Sequence, residues 1–225
     1  MRILEDFISL FFPNFCLGCN RSLYKQERLV CAHCISEAAK TNTHLEHDNF
    51  IKRKFDGKIQ VENAWSYFYF QKDGIAQNLI HHLKYENRPE LGVELGKRYA
   101  SVLKEVINLN KPDYIVPVPL HFKKLKKRGY NQSAEFAKGL SQVLEIPYLN
   151  GLERKIATET QTAKSRMQRW ENVNTIFGVI DDSVVKKHIL LVDDVITTGA
   201  TIEACAQILI DAGCKVTIAT LASVR

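Results

Sequence analysis

The spacing of apolar residues changes at about residue 60. From there onward, short apolar runs alternate with segments whose apolar residues recur at helical spacing. Strands that alternate with helices are typical of an open, mainly parallel sheet with helices on both faces. The predicted strands are 61–70, 113–120, 175–180, 188–193 and 215–224, and the predicted helices are 75–85, 90–107, 132–145 and 200–212.

Two regions precede this α/β pattern. Residues 1–42 combine a short amphipathic helix with four clustered cysteines, and residues 43–58 are polar and charged, which predicts a linker or an exposed loop. We therefore predict an N-terminal module (1–42), a linker (43–58) and one α/β domain (59–225). One stripe of the first helix consists of Ile3, Leu4, Phe7, Ile8 and Phe11.

Composition narrows the classes of partner. The net charge of +6 favours anionic partners, either phosphorylated small molecules or nucleic acid. No apolar run reaches the roughly 18 residues that a membrane span needs. Glu5, Asp6 and the pair Pro13-Asn14 interrupt the apolar start of the chain, unlike the continuous apolar centre of a signal peptide. We therefore expect a cytoplasmic protein without a membrane span.

The four N-terminal cysteines form two CxxC pairs. Cys16 and Cys19 precede Cys31 and Cys34 by a spacing that suits a closed, structural Zn²⁺ site. Gly18 permits a tight turn that directs backbone N–H groups toward sulfur. The alternatives are disulfides and a redox CxxC, and His33 is a candidate replacement ligand. Two isolated cysteines are predicted to be core thiols, Cys205 and Cys214.

Residues 189–201 (ILLVDDVITTGAT) carry the clearest chemistry. An apolar strand delivers Asp193 and Asp194 to a loop rich in threonine, and a helix follows. Gly199 lets the backbone approach a phosphate closely, and N–H groups and hydroxyls at a helix N-terminus can surround it. The carboxylates can accept hydrogen bonds from ribose hydroxyls or hold Mg²⁺ through water. The alternative is an acidic strand end that caps an ordinary helix.

The segment 117–132 is strongly basic. Leaving pyrophosphate is stabilised by clustered cations, so the segment predicts a diphosphate-binding loop. Its alternatives are a solvated basic turn or a patch for nucleic-acid phosphates. The clustered cations are Lys123, Lys124, Lys126, Lys127 and Arg128.

The polar, basic segment 154–174 is long for a simple connection between two elements. It predicts a lid in which Arg154, Arg166 and Arg169 close over a bound diphosphate. The alternative is a helix with an exposed basic face.

The segment 192–201 resembles the phosphoribosyl-pyrophosphate motif of type I phosphoribosyltransferases. Together with the motifs LKYENR (83–88), PVPL (117–120), RGYNQ (128–132) and the residues Arg154, Thr160-Gln161, Arg166 and Asn172, the chain resembles the ComF family of competence-associated phosphoribosyltransferase-like proteins. The resemblance covers nearly the whole chain, including the cysteine module. It implies a type I phosphoribosyltransferase-like α/β fold with an N-terminal zinc module.

The resemblance also implies roles for residues. Asp193 and Asp194 are the expected catalytic carboxylates and would hold the ribose hydroxyls of 5-phosphoribosyl 1-pyrophosphate with Mg²⁺. Purine-salvage members carry an aspartate where this chain has Thr197, which argues against purine salvage. The expected 5-phosphate ligands are Thr197, Thr198, Gly199, Ala200 and Thr201, and the expected pyrophosphate ligands are Lys123, Lys124 and Arg128.

Two functions follow from these expectations. The first is a phosphoribosyltransferase that transfers phosphoribose to an acceptor the sequence does not identify. The second is a non-catalytic accessory protein of DNA uptake that binds single-stranded DNA on its basic segments, contacts the competence machinery and uses the donor site for regulation.

Overall fold

The structure is a computed structural model that describes residues 14–155 and 176–225. Its centre is a four-stranded parallel sheet in the order β1-β6-β5-β2. The predicted apolar runs supply these strands, and the central pair is buried on both faces, as expected for a covered parallel sheet. The strands are β1 (Asn63–Tyr69), β2 (Tyr114–Pro117), β3 (Leu152–Arg154), β4 (Phe177–Val179), β5 (His188–Ile196) and β6 (Lys215–Ser223).

Four of the helices lie where the apolar spacing predicts them, close to the predicted bounds. A proline opens α3 at a position where its missing N–H costs nothing, and Gly213, with φ +81°, follows the end of α6 as predicted. The helices are α1 (Ala32–Glu37), α2 (Ile75–Tyr85), α3 (Pro89–Asn108), α4 (Phe122–Arg128), α5 (Gln132–Leu144) and α6 (Ala200–Asp211). In the described part of the chain, each helix is too short or too polar to span a bilayer.

Two hydrophobic cores lie on the two faces of the sheet. One joins α2, α3 and α5 to the cysteine module, and its largest buried side chains include Tyr99 and Phe136. The other joins α6 to the small sheet β3–β4 and to the segment around Phe55. This two-sided covering confirms the predicted α/β class.

Helices α3 and α5 pack unusually closely. A Cβ atom at Gly96 would overlap the carbonyl of Phe136, and one at Gly139 would overlap the carbonyl of Val93. The absence of side chains at these two glycines therefore allows backbone contact between the helices. This contact fixes α5 in the fold, and the first turn of α5 reaches the end of β5 through Ser133.

Two segments away from the carboxylate pair, the predicted strand 175–180 and the predicted linker 43–58, differ from the sequence prediction. The predicted strand 175–180 is shorter, and β4 pairs antiparallel with β3 outside the main sheet. The predicted linker 43–58 contains two short 3₁₀ turns, at Thr43–Leu45 and Lys52–Phe55, and it is anchored rather than exposed. Ile51 and Phe55 are buried there because they enter the core beside α6.

Candidate functional site

The two predicted carboxylates lie within β5. The strand continues beyond the predicted end to Ile196, and Asp193 is in register with Thr220 of β6. Both carboxylates are buried, which is unusual for acidic side chains unless they are paired or hydrogen-bonded. Their partners therefore decide what this site can bind.

Asp193 is held by a hydroxyl and by the backbone. Its Oδ1 accepts hydrogen bonds from Ser133 Oγ at 2.7 Å and from the Asp194 amide at 2.9 Å. Burial, followed by the negative charge of Asp194, raises the pKa of Asp193 to about 7, although both hydrogen bonds act in the opposite direction. Near neutral pH this carboxyl is therefore poised between its neutral and charged forms.

Asp194 faces a lysine from α2. The Lys84 ammonium lies 3.0 Å from Asp194 Oδ2, and the two side chains are only 22% and 6% exposed. The approach is close enough for an ion pair, but its direction does not meet hydrogen-bond geometry, and Oδ2 accepts no other hydrogen bond from the described residues. One carboxylate oxygen is thus buried with charge compensation but with unused accepting capacity.

The predicted phosphate loop follows directly. Thr197, Thr198, Ala200 and Thr201 are exposed, and Gly199 occupies the N-cap of α6 with φ +87°. Such a φ strongly favours glycine. The loop and the end of β5 enclose a small hollow of about 50 Å³ that Asp193 also lines. The N–H groups at the helix N-terminus and the threonine hydroxyls make this hollow suitable for a phosphate group.

Phe55, a residue of the predicted linker, packs against the phosphate loop. A Cβ at Gly199 would lie 3.2 Å from the Phe55 ring, which is tighter than an ordinary contact. Lys58 also forms a 3.4 Å ion pair with Glu203 in the first turn of α6. The segment 52–58 therefore packs against the phosphate loop, a role that its charged composition did not indicate.

The basic segment forms a helix where a loop was predicted. His121 caps α4 by accepting a hydrogen bond from the Lys123 amide at 3.2 Å, and Gly129 ends the helix with φ +84°. The helix buries none of its residues, so it lacks the apolar stripe that predicts a helix.

A cavity of about 280 Å³ lies between α4 and the end of α2. The predicted pyrophosphate residues Lys124 and Arg128 line it, whereas Lys123 lies outside it. The guanidinium of Arg128 lies 5.7 Å from the ring centre of Tyr85 and hydrogen-bonds to Gln132. The full lining is Lys84, Tyr85, Asn87, Lys124, Lys127 and Arg128.

The predicted lid is described only at its start. Arg154 ends β3, and its guanidinium lies 5.3 Å from the ring centre of Phe177 in the small sheet. Arg166 and Arg169 lie outside the described residues, as does the apolar stripe of residues 3–11. The lid stays a prediction.

The four N-terminal cysteines converge. Their sulfur atoms all lie within 4.8 Å of one another, with Cys16 Sγ 3.7 Å from Cys34 Sγ and Cys19 Sγ 3.8 Å from Cys31 Sγ. Sulfurs at about 2.3 Å from a tetrahedral Zn²⁺ are about 3.8 Å apart. The cluster is therefore arranged to hold a metal ion, and the cysteines are free thiols rather than disulfides.

Backbone amides favour the thiolate form of Cys16. Cys16 Sγ accepts from the Gly18 amide at 3.3 Å and from the Cys31 amide at 3.2 Å, which matches the turn predicted at Gly18. Burial opposes ionisation of Cys16, but these amides outweigh it and lower the pKa of Cys16 to about 7. Burial raises the pKa of Cys34. A cation is needed before all four can ionise together.

The cysteine cluster is joined to the main core. Cys16, Cys31 and Cys34 are buried in the same hydrophobic core as α2 and α3, and Asn78 of α2 donates a hydrogen bond to the Gly18 carbonyl at 3.2 Å. His33 is exposed and does not join the cluster. The isolated cysteines, Cys205 and Cys214, are buried core thiols as predicted.

Sequence reasoning missed three residues of this region. Lys84 and Ser133 contact the carboxylate pair, and Phe55 packs beneath the phosphate loop. Lys84 lies in the motif 83–88, and Ser133 directly follows the motif 128–132. Both motifs were noted in the sequence, but these two residues had no predicted role. Phe55 carried no signal beyond being apolar in a charged run.

A family model and several known proteins match this chain. The family model described as phosphoribosyl transferase domain matches residues 91–225, a range that contains β5, the threonine loop and α4 but neither Lys84 nor the cysteine cluster. Competence protein F of Haemophilus influenzae is 30% identical over 202 residues, which cover 86% of this chain and 83% of that protein.

Two further matches cover smaller shares of both chains. DNA utilization protein YhgH of Escherichia coli K12 is 35% identical over 142 residues, which cover 60% of this chain but only 61% of that protein. A solved structure of an allosteric regulatory enzyme of purine biosynthesis is 22% identical, with a TM-score of 0.43 over 61% of this chain and 29% of that one.

Proposed function

Because the chain belongs to the phosphoribosyl transferase domain family and has competence and DNA utilization proteins as relatives, we propose that it binds 5-phosphoribosyl 1-pyrophosphate at the end of β5. The observation that carries the proposal is the buried pair Asp193-Asp194, followed immediately by a threonine loop with Gly199 at a helix N-terminus. A helix N-terminus can bind a phosphate, and carboxylates beside it can accept hydrogen bonds from sugar hydroxyls, so the two features together suit a sugar phosphate.

The carboxylates and the threonine loop would each bind a different part of the donor. The carboxylates accept hydrogen bonds from the two ribose hydroxyls, and residues 197–201 surround the 5-phosphate. The donor set at Asp193 and Asp194 is oxygen only, which suits Mg²⁺, and Asp194 Oδ2 has unused accepting capacity in the described structure. When bound with the donor, Mg²⁺ would neutralise charge on the diphosphate.

Transfer of phosphoribose is the proposed reaction. The bond from the anomeric carbon to the diphosphate oxygen breaks, a bond to the acceptor forms with inversion, and pyrophosphate leaves with the electron pair. The acceptor loses its proton to solvent or to the leaving group, since the loop contains Thr197 where purine-salvage enzymes carry an acid. Catalysis then rests on positioning and on cations around the leaving group, Lys124 and Arg128 among them.

Calorimetric titration of the donor with Mg²⁺ tests binding. We expect Gly199→Ala to weaken the donor by about tenfold or more, because its Cβ would strain a positive φ and press on Phe55. Gly57→Ala is the matched control, since Gly57 has φ +70° and nothing within 4 Å of an added Cβ. Absence of donor binding to the unaltered protein would refute the proposal.

Release of pyrophosphate tests chemistry separately from binding. The bound donor would be incubated with a panel of nucleophiles that includes ammonia, nucleobases and single-stranded DNA. Release with one acceptor class identifies an enzyme. Tight binding without release across the panel leaves a donor-binding protein without transferase activity.

A second function is binding of single-stranded DNA beside the donor site. The supporting observation is α4, which presents lysines together with Phe122 and Leu125, each 42% exposed. Cations for phosphates with apolar side chains for bases are typical of single-strand binding surfaces. The printed names of the relatives, competence protein and DNA utilization protein, fit this function.

Competition distinguishes the two functions. If the donor displaces a fluorescent oligonucleotide, both ligands share the basic surface, whereas independent binding indicates separate sites. Affinity for DNA should fall steeply with salt, since phosphate contacts release counterions. An affinity that ignores salt would exclude the α4 surface as the main contact.

The cofactors and compartment belong to the same proposal. Zn²⁺ in the four-cysteine cluster is structural, because four protein ligands leave no open position for chemistry. All the described cysteines are free, which favours a reducing compartment, and we place the protein in the cytoplasm with the competence machinery as a further partner.

A further inference from the structure

We propose that Lys84 exchanges partners during donor binding. Its ammonium moves away from Asp194 and binds the diphosphate half of the donor. Lys84 would thus couple the ribose site to the diphosphate site. The inference rests on the proposed function, and it concerns a residue outside the range that the family model matches.

The cavity between α2 and α4 carries an excess of positive charge. Four of the side chains that line it are cationic, namely Lys84, Lys124, Lys127 and Arg128, and none of its lining residues is acidic. Cations around one small cavity repel one another, so an anion that enters relieves the repulsion and gains several charge-assisted hydrogen bonds. A volume of about 280 Å³ accommodates a diphosphate rather than a larger folded partner.

Lys84 belongs to this cavity and also to the carboxylate pair. Its ammonium lies 3.0 Å from Asp194 Oδ2, and its side chain is 22% exposed and lines the cavity. The ion pair is sufficiently desolvated to matter, while the lysine keeps access to water. Rotation of this long side chain about its own bonds would change the partner of its ammonium.

The walls of the cavity are tied to each other near Lys84. The Tyr130 hydroxyl hydrogen-bonds to the carbonyl of Leu83, the residue before Lys84. Arg128 hydrogen-bonds to Gln132 and lies over Tyr85, the residue after Lys84. These contacts fix the end of α2 against α4 and α5, so the backbone of Lys84 stays in place while its ammonium moves.

The exchange follows from charge balance. When a ribose hydroxyl or a cation binds Asp194, it replaces Lys84 as the partner of the carboxylate oxygen Oδ2. The released ammonium then adds a fourth cation to those available for the diphosphate. Occupation of the ribose site should therefore strengthen diphosphate binding, and by linkage the diphosphate should strengthen binding at the ribose site.

Calorimetric titrations with inorganic pyrophosphate and ribose 5-phosphate test this coupling, each ligand alone and in the presence of the other. We expect Lys84→Met to weaken pyrophosphate by about 10–100-fold, the value of a lost charge-assisted hydrogen bond, and to abolish the mutual strengthening. Lys104→Met is the matched control, because Lys104 is an exposed lysine of α3 outside the cavity, and we expect a change below about threefold.

Three results have distinct meanings. Equal effects of Lys84→Met and Lys104→Met on pyrophosphate would overturn the inference about Lys84 while leaving donor binding intact. Failure of ribose 5-phosphate to bind the unaltered protein would instead overturn the proposed donor site. If Lys84→Met does not fold, Lys84→Met/Asp194→Asn removes the unpaired carboxylate, and undiminished pyrophosphate affinity in that variant would equally refute the role of Lys84.

Discussion

The cysteine cluster and the carboxylate pair both confine groups that carry like charges when ionised, but they are built differently. The cysteines come from a short stretch of chain, and backbone amides of the same stretch donate to their sulfurs. The carboxylates are adjacent in sequence, yet their partners Lys84 and Ser133 come from α2 and α5. The first site is local, whereas the second depends on the packing of the whole domain.

This difference suits the two sites to different functions. A cluster that closes on itself and lies in the core is suited to hold a metal permanently. A carboxylate pair with a movable cation beside it is suited to a ligand that comes and goes. Three experiments can break or sharpen this comparison.

Removing the proposed metal should have the largest effect. We expect Cys34→Ser, or treatment with a strong chelator, to lower the free energy of unfolding by at least about 5 kcal/mol, because metal binding to such a cluster is folding free energy. Metal content and thermal unfolding measured together check this. Cys205→Ala is the control, since Cys205 is a buried thiol outside the cluster and its loss should leave the metal in place. Unchanged stability after demetallation would contradict a structural role.

Lys84→Met should have an intermediate effect. It leaves Asp194 buried without its cation and should cost about 2–4 kcal/mol in urea unfolding at pH 7. Adding Asp194→Asn should recover most of that loss. Lys187→Met is the matched control, because Lys187 forms a 3.9 Å ion pair with Asp113 in which both side chains are exposed, and its loss should cost less than about 1 kcal/mol. Similar losses in the free energy of unfolding for both lysines would show that the buried pair stabilises the fold no more than an exposed pair does.

The pH dependence of Asp193 should be the smallest effect. Its pKa is raised to about 7 in the folded protein, so the folded state holds a proton that the unfolded state releases near pH 4. The resulting stability is complete below about pH 4 and is lost as pH rises toward 7. Asp193→Asn should remove this decline, so that the variant gains on the parent by about 1–3 kcal/mol between pH 4 and pH 8.

The same titration contrasts with the cysteines. Thiolates bind a metal less well as pH falls, so the cluster should lose stability toward acid while Asp193 loses it toward base. Unfolding of parent and Asp193→Asn across pH 4–8 separates the two, because the cluster is common to both proteins. A constant stability difference between them over this range would contradict the raised pKa.

The sequence was sufficient where chemistry is contiguous. The threonine loop, Gly199 and the two CxxC pairs lie where they were predicted, because neighbouring residues alone determine their geometry. The four strands of the main sheet were also predictable, since a covered parallel sheet needs long apolar runs. These features explain why the α/β class and the expected family are confirmed.

The sequence was insufficient where distant residues meet. Nothing local couples Lys84 to Asp194 or Phe55 to Gly199, because both contacts arise from tertiary packing. The helix α4 was missed since it buries no residue and so shows no apolar period. The segment 43–58 was read as exposed because charged residues outnumber Ile51 and Phe55, although these two side chains decide its position.

The order of strands in the sheet has a consequence for synthesis of the chain. β1 pairs in the main sheet only with β6, the latest described strand in the sequence. Until β6 emerges from the ribosome, the buried aromatic side chains of β1, such as Trp65 and Phe68, lack their neighbouring strand. A nascent chain is therefore exposed to aggregation for most of its translation, and we expect its yield in cells to depend on chaperones that shield this early strand.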